Sequence, residues 1–188
     1  MQHDASTGMT LPIMATLRDG RQVTVREIRA HDKAEMAAAF HRLSADSRYT
    51  RFMVSMRDLS ETMLEAATHP VPGREFALVA VSGEGGAENI VAGARYVGAP
   101  ASDTCEFAVT VADGWHGLGL AKRLLKILIE TAAAQGFRCM EGYVLALNTP
   151  MRRLARGLGF ADTQCHDDAT LRVMSLGLAG GGCDGSAA

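Results

Sequence analysis

The residues whose types and spacing can do chemistry cluster between Asp103 and Gln135, DTCEFAVTVADGWHGLGLAKRLLKILIETAAAQ. Gly117 and Gly119 sit just ahead of a long run with helical apolar spacing. Without a Cβ, glycine lets the backbone bend sharply and lets a ligand approach closely. The first amides of a helix have no partner within it, and the helix dipole places partial positive charge there. Such a turn binds anions, a phosphate or pyrophosphate above all. Upstream lies Glu106, a carboxylate able to take a proton from an attacking nucleophile.

These residues need a strand, a turn and a helix in succession. Over Thr104–Val111, Cys105, Phe107, Val109 and Val111 share one face, and Glu106, Ala108 and Thr110 the other. Ala112–Gly119 is the turn, and the helix begins near Leu118. Leu120, Ala121, Leu124, Leu125, Leu128 and Ala132 form its apolar stripe, with Lys122, Arg123, Lys126 and Glu130 mostly off it. A second apolar strand, Cys139–Leu147, follows Gly136. The unit reads as β-α-β with parallel strands and a right-handed crossover.

The turn does not fit the common nucleotide motifs. After Gly114–Gly119 come Leu120 and Ala121, where a P-loop requires Lys and Ser or Thr. Lys122 stands where a dinucleotide-binding turn requires a small residue. The pattern that fits is Q/R-x-x-G-x-G/A, with His116 first, then Gly119 and Ala121. In this the chain resembles the GNAT superfamily of N-acetyltransferases. His116 departs from the usual Gln or Arg.

Two further segments carry the resemblance. Leu43–Met53, LSADSRYTRFM, reads as a short helix with Tyr49, Phe52 and Met53 on one side and Arg48 and Arg51 elsewhere. It is similar to a segment of the GNAT domain in Pat-type protein lysine acetyltransferases. NTPMRRLARGLGF reads as a helix with Asn148 as N-cap and Pro150 in the first turn. It resembles the last motif of the superfamily, whose helix flanks the CoA tail. Ala155 occupies the position where many members carry a Tyr that protonates the departing thiolate.

Composition and length set the remaining bounds. The 188 residues suffice for one domain with a sizeable core. A net charge of −2 argues against nucleic acid as the main partner. No apolar run is long enough to span a membrane, and MQHDASTGMT lacks the basic start and apolar core of a secretory signal. Cys105, Cys139, Cys165 and Cys183 show no CxxC spacing and read as reduced thiols of a cytoplasmic protein. His166-Asp167-Asp168 reads as a solvated turn, since three adjacent ligands are poor geometry for one metal. Residues 1–20 are expected to be irregular or disordered, 21–177 to form the domain, and 178–188 to be a disordered tail.

Within the domain the predicted order is strand Arg21–Ile28; a helix opened by an Asp32/Glu35 capping box; the Leu43–Met53 helix; a helix over Glu61–Thr68 capped by Ser60; and a hairpin of Phe76–Val81 with Asn89–Val97. The β-α-β unit, the Asn148 helix and closing strands Ala161–Gln164 and Thr170–Leu176 complete it.

The resemblance implies an α/β sandwich, the GNAT fold: a mixed, mostly antiparallel sheet, flanked by helices and splayed at its central parallel pair. Acetyl-CoA is the implied cosubstrate. Its pantetheine arm would pair with Val109 and Val111, and its pyrophosphate would meet amides of Gly117, Leu118, Gly119, Leu120 and Ala121. His116, Lys122 and Asn148 would add contacts, and no metal is expected.

The acceptor would be a primary amine. A lysine ammonium titrates near pKa ~10.4, so deprotonating it at pH 7 costs roughly 4–5 kcal/mol. Glu106 would serve as general base for direct attack, and a strand amide such as that of Val109 would stabilise the oxyanion. Cys105 as an acyl-carrying nucleophile is the lesser alternative, because it falls on the core face. The acceptor reads as a protein lysine. A small-molecule amine and a non-catalytic acyl-CoA sensor are the other readings.

Overall fold

The computed structural model describes residues 10–83, 88–178 and 182–183. Eight strands form one sheet in the order β1-β2-β3-β4-β5-β6-β8-β7. They are β1 Ile13–Thr16, β2 Gln22–Glu27, β3 Glu75–Ser82, β4 Asn89–Gly98, β5 Thr104–Val111, β6 Cys139–Leu145, β7 Ala161–Gln164 and β8 Leu171–Gly177. Five α-helices accompany them: α1 Lys33–Arg42, α2 Ala45–Phe52, α3 Glu61–Thr68, α4 Leu120–Ala134 and α5 Thr149–Arg156. Every pairing is antiparallel except β5 with β6.

The alternation in β5 sorts its side chains between two layers. Cys105 and Phe107 are buried in the main core with Leu120, Leu124, Leu125 and Leu128 of α4. Glu106, Ala108 and Thr110 therefore face the opposite layer. There, α1 packs Met36 and Ala39 on Ile28, Ala77, Val79 and Ile90. Ser44 caps α2 through the Ser47 amide, and Ser60 caps α3 through the Met63 amide.

The parallel pair is short. Only Thr104–Glu106 lies in register with Cys139–Glu141, after which β5 and β6 part. The ring of Phe107 stacks near Phe160, with centroids 5.1 Å apart, at the fork. A Cβ on Gly142 would come within 2.7 Å of the Phe107 ring. Glycine at that position lets β6 pass so close. On the far arm, Asp162 accepts from Arg152 of α5 at 3.0 Å and from Arg172 of β8 at 2.7 Å, tying that helix to the sheet.

Several expectations are corrected. The domain begins before residue 21: Ile13–Thr16 pairs with Gln22–Val25 as a hairpin. IMAT is too short to signal a strand alone, and the pairing supplies what the sequence lacks. Residues 1–9 lie outside the described residues.

The tail from residue 178 is not wholly free. Leu178 is buried, its amide donates to the Arg138 carbonyl at 2.8 Å, and Cys183 forms a disulfide with Cys139. The reduced-thiol expectation therefore fails for that pair, because the returning chain brings Cys183 to the start of β6. Cys105 and Cys165 remain free thiols.

Asp32 does not cap α1 with its side chain. It is buried, accepts from both Arg26 Nη atoms at 2.7 and 2.8 Å, and accepts from the Arg29 amide at 2.7 Å. Glu35 instead accepts from the Ile90 amide at 2.8 Å. Within α2, Phe52 meets Phe40 edge-on, but Tyr49 faces solvent and Met53 is a left-handed C-cap.

Candidate active site

The glycine turn leads into α4 through two positive-φ residues. After β5 the chain makes one 3-10 turn, Asp113–Trp115, and then passes Gly117 at φ +75° and Gly119 at φ +93° into α4. Gly119 is the N-cap and offers no side-chain oxygen to the first amides of α4. The helix thus begins two residues later than the sequence indicates, with its amides uncapped and aligned with the dipole.

Contacts of Arg21, His116 and Asp113 hold the turn. Arg21 lies over the Trp115 ring at 3.9 Å and donates to the Gly114 carbonyl at 2.9 Å. His116 Nε2 donates to the Val111 carbonyl at 2.8 Å, folding the imidazole back to the strand. Asp113 accepts from the Ser44 amide at 2.8 Å and from the Ser44 and Ser47 hydroxyls at 3.0 and 2.5 Å. Hydrogen bonds from Ser47 and Ser44 hold the Asp113 carboxyl below the usual carboxylate range.

Backbone alternation points β5 amides into the fork. The Ala112 amide donates to Val91 on the β4 side. Asp103, an odd residue nine positions earlier, accepts from the Arg138 and Cys139 amides on the β6 side. Val109 and Val111 share the odd residues' direction, and β6 has departed at their level. The Val109 amide and carbonyl and the Val111 amide thus face the opening, while the Val111 carbonyl is taken by His116.

On the opposite layer, Glu106 stands beside Glu141, its register partner at the last pair before the fork. Glu106 reaches solvent. Burial of its carboxyl, and then the Glu141 charge, raise its pKa above the ordinary value, while Arg51 pulls it down. A carboxylate whose pKa is raised is a stronger base toward an ammonium proton. Arg95 shares this face, since it pairs across β4–β5 with Ala108, and its guanidinium donates to Glu75 at 3.2 Å. Tyr143, two residues beyond Glu141 on β6, is exposed, and its phenol is raised by burial, then by Glu141 and Glu106.

An apolar cavity of about 410 Å³ opens under α1, α2 and α3. Small side chains create it: Ala39, Ala66 and Ala67 on the helices face Ala92, Gly93 and Ala108 on the strands. Arg51 and Arg95 are its charged lining residues, and Thr110 adds a hydroxyl.

The structure thus gathers Gly117, Leu118, Gly119, Leu120, Ala121 and Lys122 at one turn, with Val109 and Val111 on the adjoining edge. Lys122 is exposed on the first turn of α4. Asn148 lies on the other arm of the fork, where its Oδ1 caps α5 through the Met151 amide at 3.2 Å. Ala155 is fully buried and its methyl offers no proton to a leaving thiolate. Cys105 is fully buried and burial pushes its thiol up to about 12, which disfavours a nucleophilic thiolate.

Sequence reading missed Glu141, Tyr143, Arg51 and Arg95. Aligning the two parallel strands from Thr104 and Cys139 would have set Glu141 beside Glu106.

The forked mixed sheet carries an uncapped helix N-terminus on one face and the Glu106 carboxylate on the other. Residues 37–160 match the Acetyltransferase (GNAT) family, and the chain belongs to it. It is 34% identical over 163 residues to acetyltransferase PA5475 of Pseudomonas aeruginosa, covering 87% of this chain and 88% of that protein. The GNAT domain of S. lividans PAT superposes with a TM-score of 0.80 at 26% identity, over 89% of this chain and 97% of that one. A cAMP-binding acyltransferase from Mycobacterium smegmatis gives a TM-score of 0.61 at 24% identity, over 89% of this chain and 47% of that one. The chain is an acetyl-CoA-dependent N-acetyltransferase.

Proposed function

We propose that this enzyme acetylates a protein lysine side chain by direct transfer, with Glu106 as the general base. The observation that carries the reading is Glu106 at the fork, on the face opposite the diphosphate turn. The thioester enters from the α4 face and the amine from the α1–α3 face. The ammonium gives a proton to Glu106, its nitrogen attacks the acetyl carbon, and the Val109 amide receives the developing oxyanion. The nitrogen sheds its second proton to solvent as the C–S bond breaks. With Ala155 in place of a tyrosine, the CoA thiolate takes its proton from water.

The lysine acceptor is supported by the SRYTRF segment, which forms α2 and sits against Asp113 of the turn. The similarity to the GNAT domain of S. lividans PAT supports it too. A small-molecule amine is favoured by a separate observation, the cavity bounded by Arg51 on the Glu106 side of the sheet.

Release of CoA thiol from acetyl-CoA, measured against a protein extract and an amine panel with mass spectrometry of the products, tests the proposal. Acetyl-lysine in protein is expected. Turnover confined to small amines would refute the lysine acceptor. Glu106→Gln should cut kcat at neutral pH by about 10²–10⁴-fold with acetyl-CoA affinity retained. Unchanged kcat would remove Glu106 from the base role.

A further inference from the structure

Arg51 and Glu106 carry opposite charges and feel each other across the acceptor face. Yet among the described residues no ion pair joins them, and no hydrogen bond or ion pair occupies the Arg51 guanidinium. Its ring contact is with Phe52, 4.8 Å from the centroid, in its own helix. Burial, and then the Arg95 charge, lower its pKa, so the cation stands partly desolvated with no anion in contact. Burying a charge without a partner is costly, and such a group is poised to receive one.

Arg51 lines the apolar cavity together with Phe40, Phe52, Met36 and Met63, and so does Ala108, two residues beyond Glu106 on the same face of β5. Its volume of about 410 Å³ is that of a small-ligand site. A cation in the wall of an apolar chamber, with a carboxylate two residues along the strand from that wall, is the complement of a zwitterion with an apolar substituent.

We propose that this chamber seats a free α-amino acid with an apolar side chain as a second acceptor. Arg51 holds the carboxylate, with Arg95 behind it, and the α-ammonium lies against Glu106 and Glu141. The side chain fills the space beneath α1 and α3. The assignment rests on Glu106 as base. The ammonium loses one proton to Glu106, the amine nitrogen bonds to the acetyl carbon, and the C–S bond breaks. The nitrogen sheds its second proton, and the thiolate gains one from water. The products are an N-acetyl amino acid and CoA.

The test compares L-leucine with L-leucinamide, which lacks the carboxylate, and with a lysine-containing peptide, using acetyl-CoA. Acetyl-leucine should form, with KM for leucine at least tenfold below that for leucinamide. Arg51→Ala should bring the two KM values together, and Arg51→Lys, which keeps a cation and guards against misfolding, should retain part of the difference. Equal KM values in the wild type, or a difference that survives Arg51→Ala, would overturn the proposal. So would acetylation of the peptide with neither acetylation nor calorimetric binding of leucine, while leaving Glu106 as base. No transfer to any amine, together with no binding of acetyl-CoA, would overturn this assignment and the parent function alike.

Discussion

Gly119→Ala isolates the backbone of the turn proposed to hold the diphosphate from its packing. A Cβ at Gly119 would meet no atom within 4 Å, so the substitution introduces no clash. The cost is conformational: φ is +93° with ψ near 0°, a region that L residues rarely adopt. Holding alanine there costs about 1–3 kcal/mol. If the variant keeps the native turn, that energy is lost from stability, and a domain of this size should melt roughly 2–4 °C lower per kcal/mol. If the turn relaxes, the competent conformation becomes a minority. The apparent Kd for acetyl-CoA then rises by the reciprocal of its population, roughly 5–150-fold.

Calorimetric titration and thermal melting together capture both routes. Acetyl-pantetheine, which lacks the diphosphate, provides the internal comparison. The gap in affinity between acetyl-CoA and acetyl-pantetheine should narrow in the variant. A variant with wild-type melting temperature, wild-type acetyl-CoA affinity and an undiminished gap would show that the positive-φ turn does not hold the cosubstrate.

Glu141→Gln removes the like charge beside Glu106. The Glu106 pKa should fall toward its ordinary value, and the acidic limb of the kcat/KM profile, which marks loss of the ionised base as pH drops, should move to lower pH. Asp32→Asn leaves the buried Arg26 with Glu88, 2.9 Å away, as its remaining carboxylate and should cost about 1.5–3 kcal/mol in urea unfolding. Burial tends to raise the Asp32 carboxyl, but hydrogen bonds from Arg26 and the Arg29 amide outweigh it and lower its pKa. Its contribution is therefore complete above the unfolded pKa of ~3.9 and is lost as pH falls through the lower folded value, so the gap between wild type and variant should close in acid. Ala155→Tyr should not gain activity; forcing a ring into a fully buried site should destabilise the fold by about 1–3 kcal/mol or more in the same assay.

The elements around the site were legible because their signals are local. The alternation in Thr104–Val111, the stripe from Leu120 to Ala132 and the Ser60 and Asn148 caps all reappear in the structure. Long-range features were not legible. Nothing in IMAT announces a strand until β2 pairs with it. Asp32 looked like a cap because its neighbours suit one, but Arg26, six residues back on β2, takes its carboxylate instead. Cys183 gains a partner only through the chain's return along β6. Within the site, the turn could be read from one segment, but the acidic pair and Arg51 depend on strand register and on a helix crossing the sheet.

One carboxylate joins the two halves of this enzyme. Asp113 belongs to the loop that would grip the cosubstrate, yet its oxygens are taken by the serines that launch α2. That helix carries Arg51 to the other side of the sheet. A rearrangement of the loop on gripping a diphosphate would pull on α2, and on the Arg51 it carries, through these few hydrogen bonds. Steady-state kinetics should register the linkage as a compulsory order, with the thioester arriving ahead of the amine.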